Sequence, residues 1–133
     1  MSSEVLQAFL RQSIDSYEAL EILLLMQRER RAWTEDALAD RLHIPGHVIA
    51  ECLAVFFRHR LVDIQSQTPP KSYIYSCADT ALDSVVRALD QAYRVDRVEV
   101  MKMMSANAID RMRTNAVRVF ANAFVLGRDK DRG

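Results

Sequence analysis

Glycine and proline are scarce here, at three of each in 133 residues. An all-β chain would spend more of both on its many turns, so their scarcity excludes a sandwich or barrel and leaves helix as the main element. Cysteine is limited to Cys52 and Cys77. A chain of this length buries roughly two-thirds of its unfolded surface and needs no disulfide, and both thiols are expected to be reduced in a cytoplasmic protein. No apolar run approaches the roughly 20 residues of a membrane span. The start, MSSEVLQAFLRQ, lacks the basic end and apolar stretch of a secretion signal.

An excess of positive charge is also missing. Lys+Arg 18 balance Asp+Glu 18, which removes the simplest argument for a nucleic-acid partner. The balance is uneven, however: residues 1–77 hold 8 basic and 10 acidic side chains, a net of −2, and residues 97–133 hold 8 and 4, a net of +4. Electrostatic attraction to an anion is therefore expected in the C-terminal third.

Catalytic signatures are lacking as well. The chain has no Gly-rich phosphate loop, no nucleophile elbow and no acidic pair in a cleft pattern, so neither an enzyme nor a cofactor is expected. His43 and His47 are four apart, which would suit a metal on one helix, but Pro45-Gly46 breaks the helix between them and no metal is expected. Cys52 and Cys77 have no neighbouring base to make a thiolate and read as small core residues.

What the sequence does contain is helical periodicity. Val5, Leu6, Phe9 and Leu10 form one apolar stripe over about Ser2 to Ile14, a short docking helix. Asp15 or Ser16 can cap a second helix running to about Glu29, whose Ile22-Leu23-Leu24-Leu25-Met26 is apolar almost all round and marks it as central. After the charged connection RERRAW, Thr34 caps a short helix with Ala37, Leu38 and Leu42 inward, expected to end at Pro45-Gly46. The next helix begins near Gly46, with Ile49, Cys52, Leu53 and Phe56 on its inner face. Leu61 to Ser66 and Ser72 to Ser76 alternate with period two about a TPPK turn and read as a two-stranded hairpin, with Tyr73 and Tyr75 on one side and Ile74 on the other. Asp79 or Thr80 opens a helix carrying Leu82, Val85, Val86, Leu89, Ala92 and Tyr93. Val95 to Met104 is ambiguous between helix and strand. A last helix is expected from about Asn107 to Leu126, ended by Gly127, with RDKDRG fraying beyond it.

The order of helix, short helix, Pro-Gly turn, helix and hairpin is that of a winged helix-turn-helix. Over residues 15–77 the stretch WTEDALADRLHIPGHVIAECLAVFFRHRLVDIQ resembles the small bacterial winged-helix transcriptional regulators of the multiple-antibiotic-resistance type. The fold expected is mainly α, a winged helix-turn-helix with a two-stranded wing and extra N- and C-terminal helices. Residues 1–14 are the docking helix, 15–77 the winged helix and 78–133 a C-terminal helical region. Such regulators mostly have Gly before the Leu-Val that opens the wing; Arg60 stands there instead, so the turn requires an unusual backbone conformation at a non-glycine residue.

The resemblance implies a non-enzymatic regulator that binds double-stranded DNA, the helix after the Pro-Gly turn entering the major groove and the wing touching backbone. Carried onto this chain, the outward positions are His47, Val48, Ala50, Glu51, Ala54, Val55 and Arg58. That set is poor in the Arg, Asn and Gln that pair with base edges, and Glu51 would face phosphate unless it accepts from cytosine. Arg58, His59, Arg60 and Lys71, with Arg28, Arg30 and Arg31, are candidates for phosphate. The candidate DNA-binding residues are thus His47, Glu51, Val55, Arg58, Arg60, Lys71, Arg30 and Arg31. A rival is a protein-interaction adaptor, favoured if Val48, Ala54 and Val55 are exposed together. A third reading is a ligand sensor using Met101, Met103, Met104 and Met112.

In the last helix Asn107, Arg111, Asn115, Arg118 and Asn122 form a polar stripe opposite Ile109, Met112, Ala116, Phe120 and Ala123. That stripe could lie on an anion or line a subunit interface, whereas an ordinary amphipathic helix would turn it to water. The apolar surface exceeds what the winged helix can cover, so the terminal helices are expected to form a homodimer through Val5, Phe9, Leu10, Met112, Phe120 and Phe124.

Overall fold

Helix starts in this chain are fixed by side chains that accept from otherwise free backbone N–H groups. Ser2 Oγ accepts from Val5, Ser16 Oγ from Ala19, Thr34 Oγ1 from Ala37, and Asp79 Oδ1 from both Ala81 and Leu82. In the computed structural model these residues open α1 (Ser3–Ser13), α2 (Tyr17–Arg28), α3 (Glu35–Leu42) and, after α4 (Gly46–Arg58), α5 (Thr80–Val95), which is followed by α6 (Arg97–Arg132). Pro45, at the start of α4, makes no side-chain cap; its fixed φ suits the entry to a helix instead. The structure describes the backbone of residues 1–132 and the side chains of residues 1–123.

The strands are β1 (Trp33–Thr34), β2 (Val62–Ser66) and β3 (Ser72–Tyr75), antiparallel in the order β1-β3-β2. The wing hairpin falls where the alternation places it, with Tyr73 and Tyr75 buried and Ile74 on the other face. The connection before α3 differs from expectation: Trp33 and Thr34 pair with Tyr73 and Ser72 and add a third strand. Two residues are too short to show alternation. What holds them is burial of the indole, whose Nε1–H donates to the Glu29 carbonyl at 3.1 Å.

Helix α2 is the centre of the core, with Leu20, Ile22, Leu23, Leu24 and Met26 almost wholly removed from water. It packs against α3, α4, α5 and β3, while α1 lies on α5 and α6. The inner face of α4 is Ile49, Cys52, Leu53 and Phe56, as its spacing predicts.

Three expectations are corrected. The turn ending α3 is made by His43, which adopts a left-handed φ of 57°, two residues before Pro45. Val95 to Met104 is helical, and α6 runs unbroken through Asn107 and Gly127, separated from α5 only by Asp96. The polar stripe of α6 does not face water throughout. Asn107 is fully buried against α1, its Nδ2–H donating to the Gln7 carbonyl at 3.1 Å and its Oδ1 accepting from Gln7 Nε2 at 3.4 Å. Ile109, Met112, Val119 and Phe120 are exposed, Met112 at 70% and Phe120 at 74%, on a stretch of α6 where every described residue from Met112 to Ala123 is exposed. The inner face is set by Val100, Met103 and Met104, which continue directly into Asn107 and Arg111 around the helix. Among the described residues no helix is long and apolar enough to cross a membrane.

Candidate nucleic-acid interface

Helix α4 ends in a tight left-handed turn that launches the wing. Leu61 N–H bonds the Phe56 carbonyl at 2.9 Å and Arg60 N–H bonds the Phe57 carbonyl at 3.1 Å, the paired bonds of a Schellman motif. Its hydrophobic clasp is Leu61 on Phe56, both without exposure. The motif requires positive φ at Arg60, observed at 61°. The substitution of Arg for Gly noted in the sequence therefore leaves the geometry intact, at a conformational cost of about 1–2 kcal/mol, and sets a guanidinium at the root of the wing.

About the axis of α4, His47, Glu51, Ala54 and Arg58 lie opposite the buried face and are exposed. Ala50 is half-buried on one flank, beside Phe57, an exposed aromatic that sequence reasoning passed over because it sits next to the buried Phe56. Val48 and Val55 are half-buried on the other flank, where they line a cavity of about 620 Å³ against the α1–α2 turn, together with Cys52, Asp15, Glu18 and Arg111. Val55 is thus on the flank rather than the outer line, and Val48, Ala54 and Val55 do not form one exposed patch. Burial first, then the carboxylates of Asp15, Glu18 and Glu51, pushes the Cys52 thiol up to about 11. At neutral pH it stays protonated and is no nucleophile.

Lys71 stands where the hairpin enters β3, its ammonium 5.4 Å from the Tyr73 ring centroid, and shares a shallow concavity with Pro70, Thr34, Glu35 and Asp36. The turn end of the wing therefore abuts the start of α3. Arg31 stacks on Trp33, 3.5 Å from the ring centroid. Arg30 is drawn elsewhere: it lies over Tyr75 and reaches Asp83 Oδ1 at 3.4 Å, where the Tyr75 hydroxyl donates at 2.6 Å and Arg87 donates to Oδ2 at 2.9 Å. Arg28 is bound to Asp90 at 2.7 Å. Hydrogen bonding from Tyr75, then the charges of Arg87 and Arg30, hold the Asp83 carboxyl below its ordinary value; burial and the bond to Asp83 raise the Tyr75 hydroxyl.

Of the residues expected to dimerise, Phe9 and Leu10 are buried in the chain's own core, so they brace α1 from within and are withdrawn from any second copy. Val5, Met112 and Phe120 are exposed. Phe124 lies outside the residues whose side chains are described.

No protein-family model matches the chain, and no curated protein matches it by sequence. The chain is similar to solved structures that include the following two. One is MepR, a transcription regulator of the Staphylococcus aureus multidrug efflux pump MepA, at 14% identity over 90% of this chain and 88% of that chain, with a TM-score of 0.53. The other is a point mutant of S. aureus MepR bound to an oligodeoxyribonucleotide, at 15% identity with the same coverage and a TM-score of 0.51. The likeness establishes the winged-helix fold and extends it beyond residues 15–77 to most of the chain.

Proposed function

We propose that this chain is a non-enzymatic, cytoplasmic transcription regulator that binds double-stranded DNA as a homodimer. In each subunit α4 enters the major groove and the wing follows the backbone. The observation that carries this reading is an exposed α4 face of His47, Glu51, Ala54 and Arg58, flanked by a hairpin with Lys71 in its turn, on a fold shared with a regulator also solved on an oligonucleotide. Arg58, Arg60, Lys71 and Arg31 supply phosphate contacts; Arg30, tied to Asp83, contributes least.

Dimerisation rests on the outward apolar stripe of α6. Ile109, Met112, Val119 and Phe120 follow one another at spacings of three, seven and one, which keeps them on one side of the helix, the pattern of a helix that buries one side against another helix. Exposing such a stripe along a helix is costly, and a second copy offers the same stripe in return. Val5 at the exposed edge of α1 joins it.

Fluorescence anisotropy with a random-sequence duplex tests the reading. Affinity is expected to fall by more than tenfold between about 50 and 200 mM salt as phosphate contacts are screened. Arg58→Ala together with Lys71→Ala is expected to weaken binding on all sequences alike. Binding indifferent to both changes would refute it.

A further inference from the structure

The side chains on the reading face restrict which bases that face can recognise. Resting on the DNA-binding reading above, we infer that the target site is recognised through thymine methyl groups and a cytosine amine, by Ala50, Ala54 and Glu51, and not through guanine or adenine.

Helix α4, GHVIAECLAVFFR, contains no Asn, Gln or Lys, and its one Arg, Arg58, lies in the last turn. Paired hydrogen bonds to guanine from Arg or Lys, and to adenine from Asn or Gln, are therefore unavailable over the first three turns, the part of a recognition helix that meets base edges. What those turns offer toward a groove is His47, Glu51 and Ala54, all exposed, with the half-buried Ala50 on the flank one turn before Ala54.

Alanine is the smallest side chain that still presents a methyl. Two alanines on one face let the helix backbone approach the groove floor and place apolar carbon against the C5-methyl of thymine, the one apolar group of the major-groove edge. Ala50 and Ala54 are one turn apart, about 6 Å along the axis. That rise is close to two base-pair steps of about 3.4 Å, so the two methyl contacts fall on thymines about two pairs apart, on either strand.

Glu51 stands between them, exposed, with no ion pair and no side-chain hydrogen bond among the described residues. A carboxylate facing the groove is repelled by phosphate and requires a donor. The N4 amine of cytosine is the donor that Glu accepts from in major-groove pairing. Glu51 thus penalises any site that puts an acceptor edge at its position, and it selects by exclusion as much as by attraction.

The test begins with selection of binding sequences from a random 30-base-pair duplex pool by the full chain, followed by anisotropy on resynthesised duplexes. Replacing thymine by deoxyuridine at single positions removes the C5-methyl and nothing else. Two positions about two pairs apart are expected to lose about three- to fivefold in affinity each, the effect of one buried methyl. Glu51→Gln is expected to move the preference at one neighbouring pair from cytosine to adenine while leaving the melting temperature unchanged. Salt-dependent binding to duplexes indifferent to deoxyuridine, or selected sites read at guanine, would overturn this inference and leave the DNA-binding reading standing. Absence of binding to any duplex at low salt would overturn both.

Discussion

Helix α2 and the stretch of α6 beyond Asn107 are both rich in large apolar residues, yet they end in opposite surroundings. In α2, Leu20, Leu23, Leu24 and Met26 are surrounded by the rest of the chain, whereas in α6, Met112, Val117, Val119 and Phe120 are each more than two-thirds exposed. The contrast lies in what neighbours them. Helix α2 has helices or strand on every side; the inner face of α6 is used up by Val100, Met103, Met104 and Asn107 before its apolar stripe begins. Apolar spacing reports that a face will be buried but leaves open whether the chain or a second copy buries it.

The largest effect that sharpens this comparison comes from the α4–α2 core. Phe56→Ala opens a cavity beneath the Leu61 clasp and is expected to cost about 3–5 kcal/mol in urea unfolding. Phe120→Ala is expected to cost a single chain almost nothing and to appear instead as weaker self-association.

Asn107 lies at the boundary between the two regimes. Asn107→Ala removes both hydrogen bonds that hold α6 to Gln7 of α1, with an expected loss of about 1–3 kcal/mol, measured by thermal or urea unfolding. A smaller loss would mean that α6 is held to α1 more loosely than its buried amide indicates.

Asp83 ties the core to α5 through Tyr75, Arg87 and Arg30. Its carboxyl titrates lower in the folded chain than in the unfolded one, so its contribution is complete above the ordinary carboxylate range and is lost as pH falls toward the folded-state value. Asp83→Asn is expected to lower stability by about 1–2 kcal/mol at pH 7 and to flatten the acid limb of a stability profile below the ordinary carboxylate range.

The smallest effect runs the other way. Arg60→Gly relieves a left-handed residue at a cost in backbone entropy, for a net gain of about 0.5–1 kcal/mol, read as a higher urea midpoint. The same change removes a wing-root cation and is expected to weaken DNA binding, which separates folding from function at one position.

Much of this was legible from residue order. Caps at Ser2, Ser16, Thr34 and Asp79, the inner face of α4 and the alternation of the wing are local features, each decided within a turn or a hairpin. The left-handed turn at Arg60 was legible because one residue departs from the glycine usual at that place. Strand β1 was not, since two residues carry no period and Trp33 is held by long-range burial. The pairing of Arg30 with Asp83, 53 residues away, and the orientation of α6 have the same origin: both are set by packing between distant segments. The exposed side of α4 was legible in its spacing, whereas the turning of Val48 and Val55 toward the α1–α2 turn needed the fold.

Two copies joined through the outward stripe of α6, each presenting one α4 to DNA, form the centre of the account. Native mass spectrometry of the chain with a selected duplex measures this directly. Two chains per duplex are expected, falling to one weakly bound chain for Phe120→Asp with unchanged helicity. A single wild-type chain per duplex, or a Phe120→Asp variant that still binds in pairs, would contradict it.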